Sequence, residues 1–205
     1  MRRVAGIVLA GGRSSRMGHP KSTLDWHGRP LLAEVTGTVA LAVDGPVVVV
    51  RAPHQELPVL PAGVEVVEDA HEARGPLEGI AAGLRAIQGR AEAAFVSSTD
   101  VPFLQPAFVT RVASALDPSI DAVVPRVGGQ VYPLSAVYRA RLLALVESLL
   151  ADDLLRASLL PERARTRYLG ADELLADPLL AAADPELRSL TDVNDPAAYR
   201  RALAR

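Results

Sequence analysis

The sequence predicts an α/β protein: a single three-layer domain in which a mostly parallel mixed sheet carries helices on both faces. Short apolar runs alternate along the chain with segments of helical spacing, which is typical of strands joined by crossover helices. The first run, Val4–Leu9, is apolar throughout, as expected of a strand buried on both faces. A length of 205 residues with 49% hydrophobic content suits one domain with a substantial core.

The remaining strands are predicted to be short, and in chain order they cover 46–50, 64–68, 93–96, 122–125, 131–138 and 165–169. Residues 24–30 indicate a turn or short hairpin. The predicted helices cover 30–43, 77–87, 106–116 and a leucine-rich stretch, 142–160, which is interrupted near 151–153. We interpret that stretch as core, with a subunit contact as the alternative. Pro178 and Pro185 divide residues 171–190 into short helices, and Asp195 is the predicted N-cap of the last helix.

The composition excludes several classes of protein. Cysteine is absent, so there is no disulfide framework, thiolate metal site or cysteine nucleophile. A net charge of −2 argues against a nucleic-acid or anionic-membrane partner, and an aromatic content of 4% offers no base-stacking platform. The first apolar run is cut short by glycines, which indicates a strand and not a signal peptide or a membrane span. The expected location is therefore the cytoplasm.

The stretch from Gly6 to Lys21, GIVLAGGRSSRMGHPK, combines an apolar strand with glycines and cations. Gly11 and Gly12 leave backbone N–H groups open to a phosphate, because side chains there would block the close approach. The ammonium of Lys21 and the guanidinium of Arg16 are complementary ligands for a triphosphate. GxGxxG and GxxxxGK[ST] are both absent, so neither a dehydrogenase nor an ordinary ATPase is indicated.

Acidic residues follow two predicted strands, at the positions where open parallel sheets bind ligands. Asp100 predicts an oxygen ligand for Mg²⁺, with the N-cap of the next helix as the alternative. Asp69 is either a cap or a ligand to nucleotide. Near the C-terminus, Asp192 and Asn194 alternate with Val193, so both would point the same way at a strand end and could complete a metal or acceptor site.

These segments together resemble the molybdenum cofactor guanylyltransferases, nucleotidyltransferases with a Rossmann-like sheet of the nucleotide-diphospho-sugar transferase (GT-A) type. LAGGRSSRMGHPK is similar to the LAGG-x(3)-RMG-x-(D/P)-K signature of the wider superfamily. ARGPLEGIAAGL, STDVPFL and LTDVNDPAAY are similar, in order and spacing, to three later blocks of this family. The resemblance spans nearly the whole chain and favours one nucleotidyltransferase domain over residues 1–205.

The resemblance implies transfer of GMP from GTP to the terminal phosphate of the molybdenum–molybdopterin cofactor, with release of pyrophosphate. Residues 1–125 would be the nucleotide-binding half and 126–205 the acceptor-binding half. Transient contact with molybdoenzymes or cofactor-delivery proteins is also expected. The implied site comprises catalytic Lys21, Arg16 and Asp100; nucleotide-binding Leu9, Ala10, Gly11, Gly12, Lys21, Asp69 and Asp100; Mg²⁺ at Asp100; and acceptor-binding Asp192 and Asn194.

The chain departs from the family pattern at three positions. Val50 stands where the family usually has an asparagine, Tyr132 where it often has histidine, and Asp192 where it has asparagine. The last departure resembles the cytidylyltransferases that act on molybdopterin, which are therefore the closest rival interpretation. Two more distant interpretations stay open: a sugar-phosphate nucleotidyltransferase, and a non-catalytic protein that binds or chaperones the cofactor.

Overall fold

The computed structural model describes residues 3–11, 21–69 and 74–204. Within them the central sheet has eight strands, and a separate short hairpin pairs β2 (Asp25–Trp26) with β3 (Arg29–Pro30). The central sheet is built from β1 (Val4–Leu9), β4 (Val47–Arg51), β5 (Glu65–Glu68), β6 (Ala93–Ser98), β7 (Ala122–Val127), β8 (Gln130–Val131), β9 (Ser135–Arg139) and β10 (Thr166–Leu169).

The strand order is β10-β7-β9-β6-β1-β4-β5, and β8 pairs with β7. Strand β9 runs antiparallel to both β6 and β7, and β8 runs antiparallel to β7, whereas the other pairs are parallel. The predicted mostly parallel mixed sheet is therefore confirmed. Because β1, β4, β5, β6, β7 and β10 share one direction, their carboxyl ends lie along the same edge of the sheet.

Helices cover both faces of this sheet, as predicted. One face carries α2 (Pro76–Ala86), α4 (Leu143–Ala151) and α5 (Leu159–Arg163). The other carries α1 (Leu31–Ala42), α3 (Pro106–Ser114), α6 (Ala171–Leu175), α7 (Pro178–Ala183) and α8 (Pro196–Leu203).

Side-chain alternation along the strands supplies both cores. In β1, Ile7 packs with the α2 face and Val8 with the opposite face, and neither side chain is exposed. In the leucine-rich stretch, Val146 and Leu160 are fully buried among residues of the α2 face, which confirms the interpretation of that stretch as core. None of the helices in the described parts of the chain is long and apolar enough to cross a membrane.

One predicted element divides into two. Residues 131–138 were expected to form a single strand, but β8 ends at Val131 and β9 begins at Ser135. The intervening Pro133 has no N–H to donate to a neighbouring strand, so the ladder is interrupted there. Tyr132 still donates its N–H to the carbonyl of Pro125 at 3.0 Å, and the chain then turns into β9.

At the amino ends of the parallel strands, a nearly buried carboxylate, that of Asp121, holds three segments of the chain together. Asp121 accepts hydrogen bonds from Nε of Arg165 at 2.8 Å and from Nε of Arg141 at 2.6 Å, and its side chain is 11% exposed. These hydrogen bonds, that of Arg165 first, outweigh burial and lower the pKa of Asp121 to about 2. The ionised carboxylate therefore stabilises the folded state at neutral pH.

We expect Asp121→Asn to lower the free energy of unfolding at pH 7 by roughly 1–2 kcal/mol, a value discounted because both arginines are half exposed. Since the folded pKa is depressed, this contribution is present above about pH 4 and disappears as the pH falls towards 2. Urea unfolding between pH 7 and pH 3 measures the difference, with the exposed Glu162→Gln as the matched control. A difference that stays constant with pH would contradict the assignment.

Candidate active site

Three of the predicted site residues lie along the carboxyl edge of the sheet. Gly11 follows β1, Asp69 follows β5 and Asp100 follows β6. Two hydrogen bonds join neighbouring strand ends. The N–H of Asp69, after β5, donates to the carbonyl of Arg51, in β4, at 2.9 Å. The hydroxyl of Thr99, after β6, donates to the carbonyl of Leu9, in β1, at 2.9 Å. The sheet therefore brings these strand-end residues to one surface, as expected for a ligand site in such a fold.

The centre of this edge is a cluster of three polar side chains. Lys21, at the start of a short 3₁₀ turn, donates from Nζ to Oδ2 of Asp100 at 2.6 Å and to Oδ1 of Asn194 at 2.7 Å. The side chains of Lys21 and Asp100 are 21% and 16% exposed. A cation, a carboxylate and an amide oxygen are thus within contact distance at a surface that a small polar ligand can reach.

Asp100 is held in place through both its side chain and its main chain. Its Oδ1 accepts a hydrogen bond from the hydroxyl of Ser98 at 2.6 Å. Its main-chain carbonyl accepts one from the N–H of Val193 at 2.8 Å, which ties the segment before α8 to the end of β6. Val193 is 1% exposed, so it anchors this segment in the core and places the neighbouring Asn194 beside Lys21.

Asp69 lies in a different environment, beside two glycines. A Cβ atom built on Gly11 would lie 3.3 Å from Oδ2 of Asp69, and one built on Gly79 would lie 3.4 Å from Oδ1. Oδ1 is buried and has no hydrogen-bond partner in the described parts of the chain. Burial, followed by the nearby carboxylate of Glu78, raises the pKa of Asp69 to about 6. A ligand that donates hydrogen bonds to this carboxylate would relieve an unfavourable charge.

Sequence reasoning missed two residues that shape this end of the site. Glu78, in the first turn of α2, is 6% exposed and acts electrostatically on Asp69. Gln55 donates from Nε2 to the carbonyl of Ala10 at 3.0 Å, and its Oε1 accepts from the N–H of Ala52 at 3.0 Å. Gln55 lies in a proline-rich segment without periodicity, so no sequence signal marks it.

The C-terminal polar segment differs from its predicted form. Residues 191–194 are not in a strand, so the prediction of a strand end for Asp192 and Asn194 is wrong. Their side chains nevertheless lie on the outside because the intervening Val193 is buried. Asp192 lies close enough to Tyr132 to add to the effect of burial, and together they raise the pKa of the Tyr132 hydroxyl. Asp195 is the N-cap of α8, as predicted, and accepts the N–H groups of residues 197 and 198.

The other predicted site residues are only partly covered. Gly12 and Arg16 lie outside the described residues. Leu9 and Ala10 are 8% exposed, so their side chains pack in the core and only their backbone could line a pocket. Val50, the position where relatives of this type were expected to have asparagine, is 1% exposed and belongs to the core.

The donor set at Asp100 fits a hard divalent cation. Within the described parts of the chain, no group of three or more histidine, aspartate or glutamate side chains is close enough to hold a metal ion. A metal at Asp100 would therefore be held by one carboxylate, as Mg²⁺ often is when substrate phosphates supply further ligands. The oxygen of Asn194 shares Lys21 with that carboxylate and is also a suitable donor.

Comparison with known proteins first defines the class of this protein. Residues 6–166 match the MobA-like NTP transferase domain family, which confirms that the chain is a nucleotidyltransferase. A molybdenum cofactor guanylyltransferase from Desulfosudis oleivorans is 32% identical over 192 residues, which cover 93% of this chain and 90% of the relative. The chain therefore belongs to the molybdenum cofactor guanylyltransferase family, as the sequence motifs predicted.

Other relatives agree with this assignment. A probable molybdenum cofactor guanylyltransferase from Bacillus cytotoxicus is 29% identical over 175 residues, which cover 84% of this chain and 87% of the relative. The crystal structure of molybdopterin-guanine dinucleotide biosynthesis protein A from Archaeoglobus fulgidus superposes with a TM-score of 0.78 at 22% identity, covering 98% and 97% of the two chains. That superposition confirms the predicted fold.

Composition carried one signal for the central cluster. Of the 22 basic residues in the chain, only Lys21 is a lysine, and Asn194 is the only asparagine. The structure places Nζ of this lysine 2.7 Å from Oδ1 of this asparagine, beside the carboxylate of Asp100. A chain that uses arginine everywhere else keeps a compact ammonium here, which suggests that this position requires a point charge and not a planar fork.

Proposed function

We propose that this chain transfers GMP from GTP to the terminal phosphate of the molybdenum–molybdopterin cofactor and releases pyrophosphate. The observation that carries the proposal is the contact of Lys21 with both Asp100 and Asn194 at the carboxyl edge of a nucleotidyltransferase sheet. The names of the relatives support the choice of GTP and of this acceptor.

The mechanism follows from the charges of the cluster. The acceptor phosphate is ionised near neutral pH and attacks the α-phosphorus in line, so no protein nucleophile is needed. Lys21, with Arg16 assisting, stabilises the negative charge that develops on the transferred phosphoryl group and on the leaving pyrophosphate. Ser98 fixes the orientation of the Asp100 carboxylate by a hydrogen bond to its Oδ1.

Asp100, with the oxygen of Asn194 beside it, would hold Mg²⁺ in this reaction. A bound Mg²⁺ ion would neutralise charge on the triphosphate oxygens and orient the leaving group. The phosphates of a bound nucleotide would compete with Oδ2 of Asp100 for the ammonium of Lys21. Lys21 would move to the phosphates, a short distance within the reach of its flexible stem.

The strand order supports separate binding positions for the nucleotide and the acceptor along the carboxyl edge of the sheet. Asp69 follows β5 on one side of the Asp100 strand, and the residues around Tyr132 and Asp192 lie on the β7 side. At about 4.8 Å per strand, β5 lies about 14 Å and β7 about 10 Å from β6. In this proposal residues 1–125 are the nucleotide-binding half and 126–205 the acceptor-binding half, with Asp192 and Asn194 on the acceptor side.

Asp69 favours guanine over cytosine. Guanine presents two adjacent donors, N1–H and the 2-amino group, to a carboxylate, whereas cytosine presents only its 4-amino group. The carboxylate of Asp69 is destabilised by burial and by Glu78, so two donors compensate for its charge better than one. The cytidylyltransferase, sugar-phosphate and non-catalytic interpretations have no comparable support, and a cytoplasmic location stays a prediction.

The deciding experiment supplies purified molybdopterin cofactor, Mg²⁺ and equal amounts of GTP and CTP, and identifies the dinucleotide by mass spectrometry. We expect the guanine dinucleotide and pyrophosphate in equal amounts. Formation of the cytosine dinucleotide would contradict the proposal and show that the chain is a cytidylyltransferase. Failure to form either product, with the cofactor intact, would favour the non-catalytic interpretation.

Asp69→Asn tests the base site through two opposite effects. Because burial raises its pKa, ionised Asp69 costs stability in full above about pH 6, and the cost disappears only as the pH falls below the unfolded value near 4. We expect the variant without ligand to melt roughly 2–4 °C higher at pH 8, a small shift since the carboxyl is only half-buried, and to keep roughly half of that difference at pH 5. Its affinity for GTP should fall by about tenfold.

Thermal unfolding at both pH values, with and without GTP, measures both effects. The exposed Asp152→Asn is the control and should change neither. An Asp69→Asn variant that binds GTP as tightly as the wild type would remove Asp69 from the nucleotide site, whatever its melting temperature.

A further inference from the structure

A cavity of about 380 Å³ opens on the acceptor side of the sheet. Its walls include Val127, which ends β7, and Ala171, which follows β10. Both strands point their carboxyl ends to the same edge as the strand before Asp100, so the cavity opens along the edge that carries the polar cluster. The volume lies in the range of small-molecule sites, and Leu175 and Leu190 make much of the wall apolar.

Three polar side chains line this otherwise apolar cavity: Tyr132, Glu186 and Thr191. Glu186 is exposed, and the described structure gives its carboxylate no hydrogen bond or ion pair. Apolar walls with a few polar groups are the usual composition of a site for a flat organic ring. Among these groups, only the Glu186 carboxylate can accept two parallel hydrogen bonds from one edge of such a ring.

The turn that carries Glu186 contains a strained residue and is held by hydrogen bonds. The next residue, Leu187, has φ of 52°, a left-handed conformation that is costly for a leucine, and it is 6% exposed. The buried carboxylate of Asp184 holds the turn by accepting the N–H groups of Arg188 at 2.6 Å and Ser189 at 2.8 Å. Glu186 is therefore presented on a preorganised turn, as binding residues often are.

One wall of the cavity lies close along the chain to the polar cluster. Thr191 lines it, and three residues further on Asn194 accepts the hydrogen bond from Lys21. Three residues of chain span at most roughly 10 Å. Asp192 lies between Thr191 and Asn194 in the sequence, and its negative charge helps to raise the pKa of Tyr132, another residue that lines the cavity. A ring seated in the cavity could therefore extend a short phosphate-bearing tail to the place where the phosphoryl transfer occurs.

We propose that this cavity holds the pterin ring of the acceptor, with the Glu186 carboxylate accepting hydrogen bonds from N3–H and the 2-amino group at its 2-amino-4-oxo edge. The ring lies between the apolar walls, and its tail points along residues 191–194 towards Lys21. The inference rests on the proposed function, because the acceptor of that function is the pterin compound. It adds Glu186 as a binding residue for the acceptor.

The first test separates acceptor binding from nucleotide binding in GMP transfer. Glu186→Gln keeps the shape of the side chain but replaces one acceptor oxygen with a donor, so KM for the molybdopterin cofactor should rise by about tenfold or more. KM for GTP should change by less than about twofold, because the base site lies at the other end of the sheet. Glu162→Gln, an exposed carboxylate on the opposite face, should alter neither value. An unchanged acceptor KM in Glu186→Gln would overturn the inference and leave the proposed function standing.

The second test does not depend on turnover. Titration of the protein with 6-hydroxymethylpterin, followed by the fluorescence of the pterin, should show saturable binding to the wild type. Glu186→Gln should raise the dissociation constant by about tenfold, and Ala171→Phe, which fills the cavity, should abolish binding in a protein that still unfolds cooperatively. Equal binding by all three proteins would place the pterin elsewhere. If the wild type binds pterin here but forms no dinucleotide, the proposed function fails and the cavity assignment holds.

Discussion

Asp100→Ala is expected to lower the turnover of GMP transfer by on the order of a hundredfold or more. The substitution removes the carboxylate that would hold Mg²⁺, and it removes the partner that keeps the Lys21 ammonium in the site. In this variant the hydrogen bond from Lys21 Nζ to Oδ1 of Asn194 would still help to position the ammonium. The affected step is the stabilisation of charge in the transition state, so kcat should fall more than the affinity for GTP.

The fold should survive this substitution, since the carboxylate lies at the solvent-accessible edge of the sheet and is not part of either core. Steady-state kinetics with molybdopterin as acceptor, together with thermal unfolding, measure the two effects. Asp152→Ala, an exposed aspartate after α4, is the matched control and should keep full activity. Near-normal turnover by Asp100→Ala would refute the role of Asp100 in the reaction.

Lys21→Met is expected to have an effect of similar size, roughly a hundredfold on turnover, because the ammonium would no longer meet the charge on the triphosphate. Lys21→Arg should restore little of it, since a planar guanidinium does not fit where a compact ammonium contacts both Asp100 and Asn194. The double variant Lys21→Met with Asp100→Ala should be scarcely worse than either single variant, because residues that act as one unit are not additive. Additive losses would show that the two side chains act separately.

The single lysine also permits a direct measurement of ligand contact. Reaction with pyridoxal phosphate and borohydride labels lysine and the N-terminal amine, so any labelled internal peptide must contain Lys21. We expect GTP to suppress labelling of Lys21 and to leave labelling of the N-terminal amine unchanged, which is the internal control. Equal labelling of Lys21 with and without GTP would mean that the ammonium does not meet the nucleotide.

Local patterns predicted most of the secondary structure because the relevant forces act over a few residues. The continuous apolar run of β1 was predicted with its observed limits, and the predicted boundaries of α2 lie within one residue of the observed ones. Asp195 was recognised as an N-cap because capping depends only on the two or three residues that follow it. Residues 131–138 were predicted as one strand because the periodicity continues through Pro133, where the hydrogen-bond ladder does not.

The site was harder to predict than the secondary structure because its residues are far apart along the chain. The resemblance of the motifs indicated Lys21, Asp100 and Asn194 as site residues. Lys21 nevertheless lies 79 positions from Asp100 and 173 positions from Asn194 along the chain, although it contacts both. Glu78 was not recognised because it looks like an ordinary first-turn acid of α2, and only burial beside Asp69 gives it an electrostatic role. Gln55 and Glu186 lie in segments without periodicity, where no pattern of sequence marks a binding group.

The sequence by itself determined most of the order of strands and helices and the family to which the chain belongs. These features depend on residue type and local spacing, which are present in the unfolded chain. The tertiary structure decided the antiparallel insertion of β9, the meeting of Lys21, Asp100 and Asn194, and the unfavourable charge of Asp69. Those features arise only when long-range packing closes the sheet, because burial and contact between distant side chains do not exist before the core forms.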